Sequence, residues 1–180
     1  MTPPALMTAD ELLHLNLPDQ QTELVRGVLV VREKPGFRHG EVAMRLGTAI
    51  ANFVDARKLG TVLAADTGFM LFTNPDTVRA PDVAFVRRDR VPDPEPRGYP
   101  ALAPDLAVEV LSPNDRPGEV LAKVGDWLSA GCRLVWVVDP VRQTARVYRA
   151  DGTESHLTDQ DALDGEEILP EFSCPLASIF

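Results

Sequence analysis

The chain has 180 residues, of which 27 are acidic and 18 are basic, and its formal net charge is −9. This length suits one domain with a core that needs no disulfide or structural metal. The acidic balance disfavours non-specific coating of nucleic acid, which requires clustered Lys and Arg, but it permits a local basic groove. No apolar run approaches the ~20 residues of a membrane span, and we expect a cytoplasmic protein without a membrane partner.

Hydrophobic periodicity and turn residues predict a mixed α/β chain. Apolar residues at helical spacing indicate amphipathic helices, and valine-rich runs bounded by turn residues indicate strands. Thr8 and Glu11 form a capping-box pattern at the first helix, Gly27 interrupts the first valine-rich run, and Gly60 is predicted to end the first long helix. In chain order the predicted elements are a helix over 9–15, a strand with a turn or bulge over 22–32, a helix over 39–58, a hairpin formed by 61–65 and 68–72, strands at 82–87 and 105–111, a helix over 118–130, a strand over 132–140, and a hairpin formed by 145–150 and 153–158.

The order of these elements predicts an α/β fold with one mixed central sheet flanked by two main helices. We expect a single domain over residues 1–180, with its core at about 38–140. An N-terminal helix-strand extension occupies 1–37, and a C-terminal hairpin and tail occupy 141–180. The proline-rich segment 89–104 is incompatible with a helix or a central strand and predicts a loop.

Glu109 is the most informative residue of the chain. Alternate residues of a strand face opposite sides of a sheet, so Glu109 shares one side with Ala107 and Leu111. A carboxylate between small and apolar neighbours is costly to bury unless it is paired or binds a cation. The alternative is an edge strand on which Glu109 is exposed to water.

Asp82 and Lys123 are the other two principal candidates. Asp82 begins an apolar strand, where it either caps a turn or joins Glu109 at one end of the sheet as an oxygen ligand of Mg²⁺ or Mn²⁺. Lys123 lies at the edge of the buried face of its helix. Its ammonium group either extends to solvent or turns towards the carboxylates, where it would stabilise negative charge on a phosphoryl group.

Two further residues and two basic clusters are secondary candidates. Glu23 opens the first strand and is either exposed or an additional metal-site carboxylate. His39 opens the long helix and is either solvated or in contact with the site. Nucleic-acid contact is the functional interpretation of the basic clusters, and simple solvation is the alternative. The clusters are Arg87, Arg88 and Arg90 after the Asp82 strand, and Arg32, Lys34 and Arg38 before the long helix.

Several motifs resemble one known family. APDVAFV at 80–86, VEVLSPND at 108–115, the Lys123 helix and LVWVVDP at 134–140 are similar to the Uma-type restriction endonucleases of the PD-(D/E)XK nuclease superfamily. The stretch TELVRGVLV, the position of His39 and the closing LPEFSCPLASIF also fit this pattern. The resemblance therefore covers nearly the whole chain.

The resemblance implies a restriction-endonuclease-like fold and a site for Mg²⁺ or Mn²⁺. It implies that Asp82 and Glu109 bind the metal and that Lys123 supplies the catalytic ammonium group. The chain departs from the superfamily pattern at Leu111, which stands where the motif has its own lysine. The resemblance implies that Lys123, on the following helix, replaces that lysine.

The function expected from these residues is a metal-dependent endonuclease that acts on DNA. A homodimer is expected because cleavage of a duplex benefits from two sites. The alternative is a catalytically silent binding or assembly module with the same fold. Three observations favour this alternative: the net acidity, the missing lysine of the motif and the apolar residues around Trp127 and Trp136. A small-molecule hydrolase has little support, because the chain lacks a Gly-x-Ser-x-Gly motif, a phosphate loop and zinc-ligand spacing.

Overall fold

A computed structural model describes residues 6–18 and 20–180; residues 1–5 and 19, which belong to the predicted N-terminal extension, lie outside the described residues. The helices are α1 (Ala9–His14), α2 (Phe37–Arg57) and α3 (Pro117–Ser129). Within the described ranges, no helix has both the length and the apolar character needed to cross a bilayer. The strands are β1 (Gln21–Val25), β2 (Val28–Arg32), β3 (Gly60–Ala64), β4 (Phe69–Phe72), β5 (Thr77–Arg79), β6 (Val83–Arg87), β7 (Leu106–Val110), β8 (Leu134–Asp139), β9 (Thr144–Arg149), β10 (Glu154–Leu157), β11 (Ala162–Asp164) and β12 (Ser173–Pro175).

A six-stranded mixed sheet forms the centre of the fold, in the order β10-β9-β8-β7-β6-β3. The pair β7–β8 is parallel, and the other neighbouring pairs are antiparallel. Leu106 and Val108 of β7 pack on one face with the buried side of α2, whereas Ala107 packs on the other face with Trp127 of α3. The predicted mixed sheet between two main helices is therefore confirmed, and so are the two predicted faces of β7.

A second, four-stranded antiparallel sheet, in the order β2-β1-β5-β4, was not predicted from the sequence. The predicted hairpin of 61–65 with 68–72 is wrong, because β3 pairs with β6 in the central sheet and β4 pairs with β5 in the second sheet. Periodicity identifies an extended run but not its partner. Here β3 gains a five-residue ladder with β6, from Gly60 opposite Arg87 to Ala64 opposite Val83.

The ends of the helices follow local hydrogen bonding. The predicted capping box of α1 is confirmed, because the Thr8 side chain accepts the Glu11 N–H and the Glu11 carboxylate accepts the Thr8 N–H. The prediction that Gly60 ends α2 is wrong, because Lys58 caps this helix in the left-handed conformation with φ of 55°. Gly60 instead opens β3, where a Cβ atom would collide with the Val86 carbonyl oxygen. Glycine at this position therefore allows β3 to approach β6 closely.

The C-terminal tail docks on the central sheet. Leu169, Phe172, Leu176 and Ile179 are all buried in the core on the α2 side. The Phe172 ring stacks on Trp136 of β8 with 5.9 Å between ring centroids. The tail thereby shares one face of the sheet with α2, opposite the face on which α3 packs and the site lies.

The close approach at Gly60 leads to a stability prediction. We expect Gly60→Ala to lower the free energy of unfolding by about 1–3 kcal/mol, because the new methyl group displaces backbone at the β3–β6 ladder. Gly125→Ala is the matched control, since it lies in α3 with open space around its Cβ position, and we expect it to stabilise by about 0.5–1 kcal/mol. Urea unfolding measures both values, and equal stability of the two variants would contradict this explanation.

Candidate active site

The antiparallel pairing of β6 with β7 brings Asp82 and Glu109 to the same end of the central sheet. Asp82 immediately precedes β6, and its N–H donates to the Val108 carbonyl oxygen at 2.9 Å. The Asp82 Oδ2 atom accepts the Val110 N–H at 2.7 Å. The start of β6 therefore lies beside the end of β7, which agrees with the interpretation that puts Asp82 and Glu109 at one end of the sheet.

Glu109 is buried in the middle of the sheet rather than exposed on an edge strand. β7 lies between β6 and β8, and only 8% of the Glu109 surface is exposed. Burial raises the pKa of Glu109 to about 7, and the negative charges of Asp82 and Glu23 act in the same direction, against the opposing effect of Lys123. This carboxyl group therefore exchanges a proton near neutral pH, unlike an exposed glutamate.

Helix α3 provides a hydrogen-bond donor for each oxygen of Glu109. Lys123 Nζ donates to Oε2 and Trp127 Nε1 donates to Oε1, each at 2.8 Å. The two donors are four residues apart, so they lie on the same face of the helix. Lys123 thus turns inward rather than towards solvent. The sequence analysis noted Trp127 only for its apolar surroundings and missed its role as a donor.

The ammonium group of Lys123 has three acceptors within hydrogen-bonding distance. Besides Glu109, it donates to the Ala80 carbonyl oxygen at 2.8 Å and lies 2.9 Å from Oε1 of Glu23. Burial alone would lower the pKa of Lys123, but the charges of Glu109 and Glu23 outweigh burial and raise it to about 12. Lys123 is therefore a permanent buried cation whose three N–H groups are all engaged.

Glu23 is buried beside Lys123, and it links the second sheet to α3. Its Oε1 accepts the Ala80 N–H and its Oε2 accepts an N–H of Arg79, both at 2.9 Å. Burial would raise the pKa of Glu23, but the positive charges of Lys123 and Arg79 lower it below the usual value. Arg79 also donates to Oδ2 of Asp126 in α3 from Nε at 2.9 Å and from a terminal nitrogen at 2.6 Å. Arg79 and Asp126 were missed because no local pattern connects residues 47 positions apart.

His39 lies against Asp82 at the start of α2. Its Nε2 atom is 3.3 Å from Oδ1 of Asp82. Burial would lower the pKa of His39, but its hydrogen bond with Asp82 and the charges of Asp82 and Asp115 raise it. Its Nδ1 atom is buried without a hydrogen-bond partner among the described residues. Of the three principal residues, His39 therefore contacts only Asp82.

The candidate residues line one open groove of about 990 Å³. Its walls are the β1–β2 hairpin, the ends of β5 and β7, the loop 112–116 and the first turns of α3. Its lining includes Glu23, His39, Asp82, Glu109 and Lys123. The structure therefore brings all five of these sequence-predicted residues to a single surface.

The two basic clusters occupy different places. Arg32 and Lys34 line the groove, whereas Arg38 lies outside the lining and binds Glu41 at 2.8 Å. The second cluster, Arg87, Arg88 and Arg90, lies at the opposite end of β6 from Asp82, about 16 Å along the strand at ~3.3 Å per residue. There Arg90 binds the buried carboxylate of Asp105 at 2.7 Å. The structure therefore does not bring this second cluster to the groove.

The fold and its groove place this protein in the class of restriction-endonuclease-like α/β proteins. A crystal structure described as a putative nuclease belonging to DUF820, from Anabaena variabilis, matches with a TM-score of 0.83 and 22% identity, and the match covers 97% of each chain. At this identity the likeness shows the fold. The sequence model of the Uma2 family, described as “Putative restriction endonuclease”, matches residues 9–177. The chain belongs to the Uma2 family. No curated protein shows a significant match.

The hydrogen bond between Trp127 and Glu109 leads to a spectroscopic prediction. The chain has two tryptophans, and the Nε1 atom of Trp136 has no hydrogen-bond partner among the described residues. We expect Glu109→Gln to move the indole N–H signal of Trp127 upfield in a ¹H–¹⁵N correlation spectrum, because a neutral amide is a weaker acceptor than a carboxylate. The signal of Trp136 is the internal control, and Trp136→Phe assigns it. An unchanged Trp127 signal would contradict the observed hydrogen bond.

Proposed function

We propose that this protein is a metal-dependent endonuclease that hydrolyses phosphodiester bonds in DNA. In this proposal Asp82 and Glu109 hold Mg²⁺ or Mn²⁺, and Lys123 is the catalytic lysine, displaced from the usual motif onto α3. The observation that carries the proposal is the ammonium group of Lys123, 2.8 Å from Oε2 of Glu109 in the groove that Asp82 also lines. Membership of the Uma2 family supports a nuclease.

The charges around the groove fit a divalent cation. Four carboxylates, Glu23, Asp82, Glu109 and Asp126, surround the two buried cations Arg79 and Lys123. With every carboxyl group ionised, this cluster carries two excess negative charges. Burial is the main cause of the raised pKa of Glu109, and the negative charges of Asp82 and Glu23 add to it. A divalent cation would balance the excess.

The donor atoms also suit a hard cation. Among residues 6–18 and 20–180, no three His, Cys, Asp or Glu side chains are grouped to hold a metal ion. Mg²⁺ needs no such cage, because it commonly uses one or two carboxylates, waters and substrate phosphates. Each oxygen of Glu109 accepts one N–H group and retains a second lone pair. Asp82 and Glu109 therefore fit as the two carboxylates.

The protein side chains would divide the remaining work. A bound cation would polarise the phosphodiester and lower the pKa of an attacking water. Lys123 would stabilise the negative charge that develops on the phosphoryl oxygens, and Trp127 would hold the Glu109 carboxylate in one orientation. His39 would orient Asp82. Glu23, whose oxygens contact Lys123, Ala80 and Arg79, would hold the lysine in place rather than bind metal.

Substitution of the three principal residues tests the proposal. We expect Asp82→Asn, Glu109→Gln and Lys123→Met each to lower the rate of DNA cleavage by about 100-fold or more. The first two remove a carboxylate that would hold the metal, and the third removes the positive charge that would act on the reacting phosphate. The measurement is cleavage of plasmid and single-stranded DNA with Mg²⁺ or Mn²⁺. Glu154→Gln is the matched control, since Glu154 lies exposed on β10 at the far edge of the sheet, and it should cleave at the wild-type rate.

Wild-type cleavage by Glu109→Gln would refute the assignment of the site. If the wild-type protein cleaves no DNA, calorimetric titration with Mg²⁺ and Mn²⁺ separates the remaining explanations. Metal binding that Glu109→Gln abolishes would favour a selective nuclease. Absence of metal binding would favour the alternative of a catalytically silent binding or assembly module.

A homodimer is part of the proposal, because two grooves would cut the two strands of a duplex. Phe37 and Met44, seven residues apart on one face of α2, are 90% and 70% exposed and support an interface there. We expect light scattering to give a molar mass of twice the 19.7 kDa chain for the wild-type protein. The Met44→Glu variant should have the mass of a monomer. A wild-type monomer at high concentration would refute this part of the proposal.

A further inference from the structure

A nucleic-acid backbone in the groove needs a positively charged partner that has unused N–H groups. Lys123 does not meet this need, because its three N–H groups contact Glu109, Glu23 and Ala80. Arg79 does not meet it either, because its side chain is 5% exposed and binds Glu23 and Asp126. The two buried cations can act on a phosphate through their charge, but they have little hydrogen-bonding capacity left for it.

Arg32 differs from both of these cations. It is the last residue of β2, it lines the groove, and its side chain is 28% exposed. Within the described chain it makes one hydrogen bond, from a terminal nitrogen to Oδ1 of Asp115 at 3.2 Å. Its Nε atom lies 3.7 Å from Glu23 without a hydrogen bond. A guanidinium group has five N–H donors. The Nε donor of Arg32 is buried, but three of the four donors on its terminal nitrogens are unused by the described residues.

The register of the β1–β2 hairpin places Arg32 beside the candidate catalytic cluster. Glu23 pairs with Val30, and Gln21 pairs with Arg32, so these four side chains lie on one face of the hairpin. Glu23 in turn contacts Lys123. Arg32 is therefore separated from the ammonium group of Lys123 by a single carboxylate, that of Glu23.

We infer that Arg32 binds a backbone phosphate of the nucleic acid adjacent to the phosphodiester that is cut. A planar guanidinium group can donate two parallel hydrogen bonds to the non-bridging oxygens of one phosphate, which an ammonium group cannot do. Asp115 holds the guanidinium group in the groove, and its other oxygen accepts the Ser112 N–H at 2.7 Å, which keeps this loop carboxylate in place. The inference rests on the proposed function, because it concerns the substrate of the same groove.

The test is the binding of fluorescein-labelled duplex and single-stranded DNA, measured by anisotropy with Ca²⁺ in place of Mg²⁺. We expect Arg32→Gln to raise the Kd about tenfold and to reduce the slope of log Kd against log salt concentration by about one, because one phosphate contact is lost. Arg32→Lys, which retains the charge without the planar fork, should give an intermediate Kd. In cleavage assays with Mg²⁺, Arg32→Gln should raise KM more than it lowers kcat.

Arg88→Gln is the matched control, because Arg88 is exposed at the end of β6 away from the groove and should bind DNA as the wild type does. Thermal unfolding verifies that each variant is folded. If Arg32→Gln does not fold, the Kd of Arg32→Lys tests the inference instead. Wild-type Kd and salt dependence in the folded Arg32 variants would overturn the inference and leave the proposed nuclease intact. Absence of DNA binding by the wild-type protein would overturn both.

Discussion

The carboxylate of Glu109 is buried in the centre of the main sheet, and the surrounding structure depends on keeping it there. An unpaired charge at such a position costs several kcal/mol, so burial requires donors for both oxygens. Lys123 and Trp127 provide them from a single turn of α3. The helix must therefore pack with this turn directly over β7, which fixes its rotation as well as its position.

Lys123 in turn needs hydrogen-bond acceptors, and the second sheet provides them. A buried ammonium group also needs acceptors, and two of its three acceptors, Glu23 and Ala80, come from β1 and from the residue that follows β5. Arg79 then neutralises Glu23 and binds Asp126 of α3. The four-stranded sheet is thus part of the site, because without it Lys123 and Glu109 would be an incompletely satisfied buried pair.

Sequence reasoning succeeded where a local pattern carries the information. The alternation in β7 placed Glu109 on the opposite face from Leu106 and Val108. The positions of Asp82 at the start of its strand and Glu109 late in its own suggested one shared end of the sheet. It failed where two distant segments must find each other. The run 68–72 pairs with the three-residue strand β5, which was too short to be predicted, and the ion pair of Arg79 with Asp126 has no signature in either segment.

By itself the sequence determined the type and order of the main helices and strands, the two faces of β7 and the principal candidates Asp82, Glu109 and Lys123. These are local properties, set by side-chain periodicity, turn chemistry and capping over a few residues. Only the tertiary structure decided that Lys123 points inward, that burial raises the pKa of Glu109 to about 7 and that Arg32, rather than the cluster at Arg87–Arg90, lines the groove. Each of these outcomes depends on desolvation and charge at contacts between segments far apart in the chain, and such contacts exist only after the sheets and helices have packed.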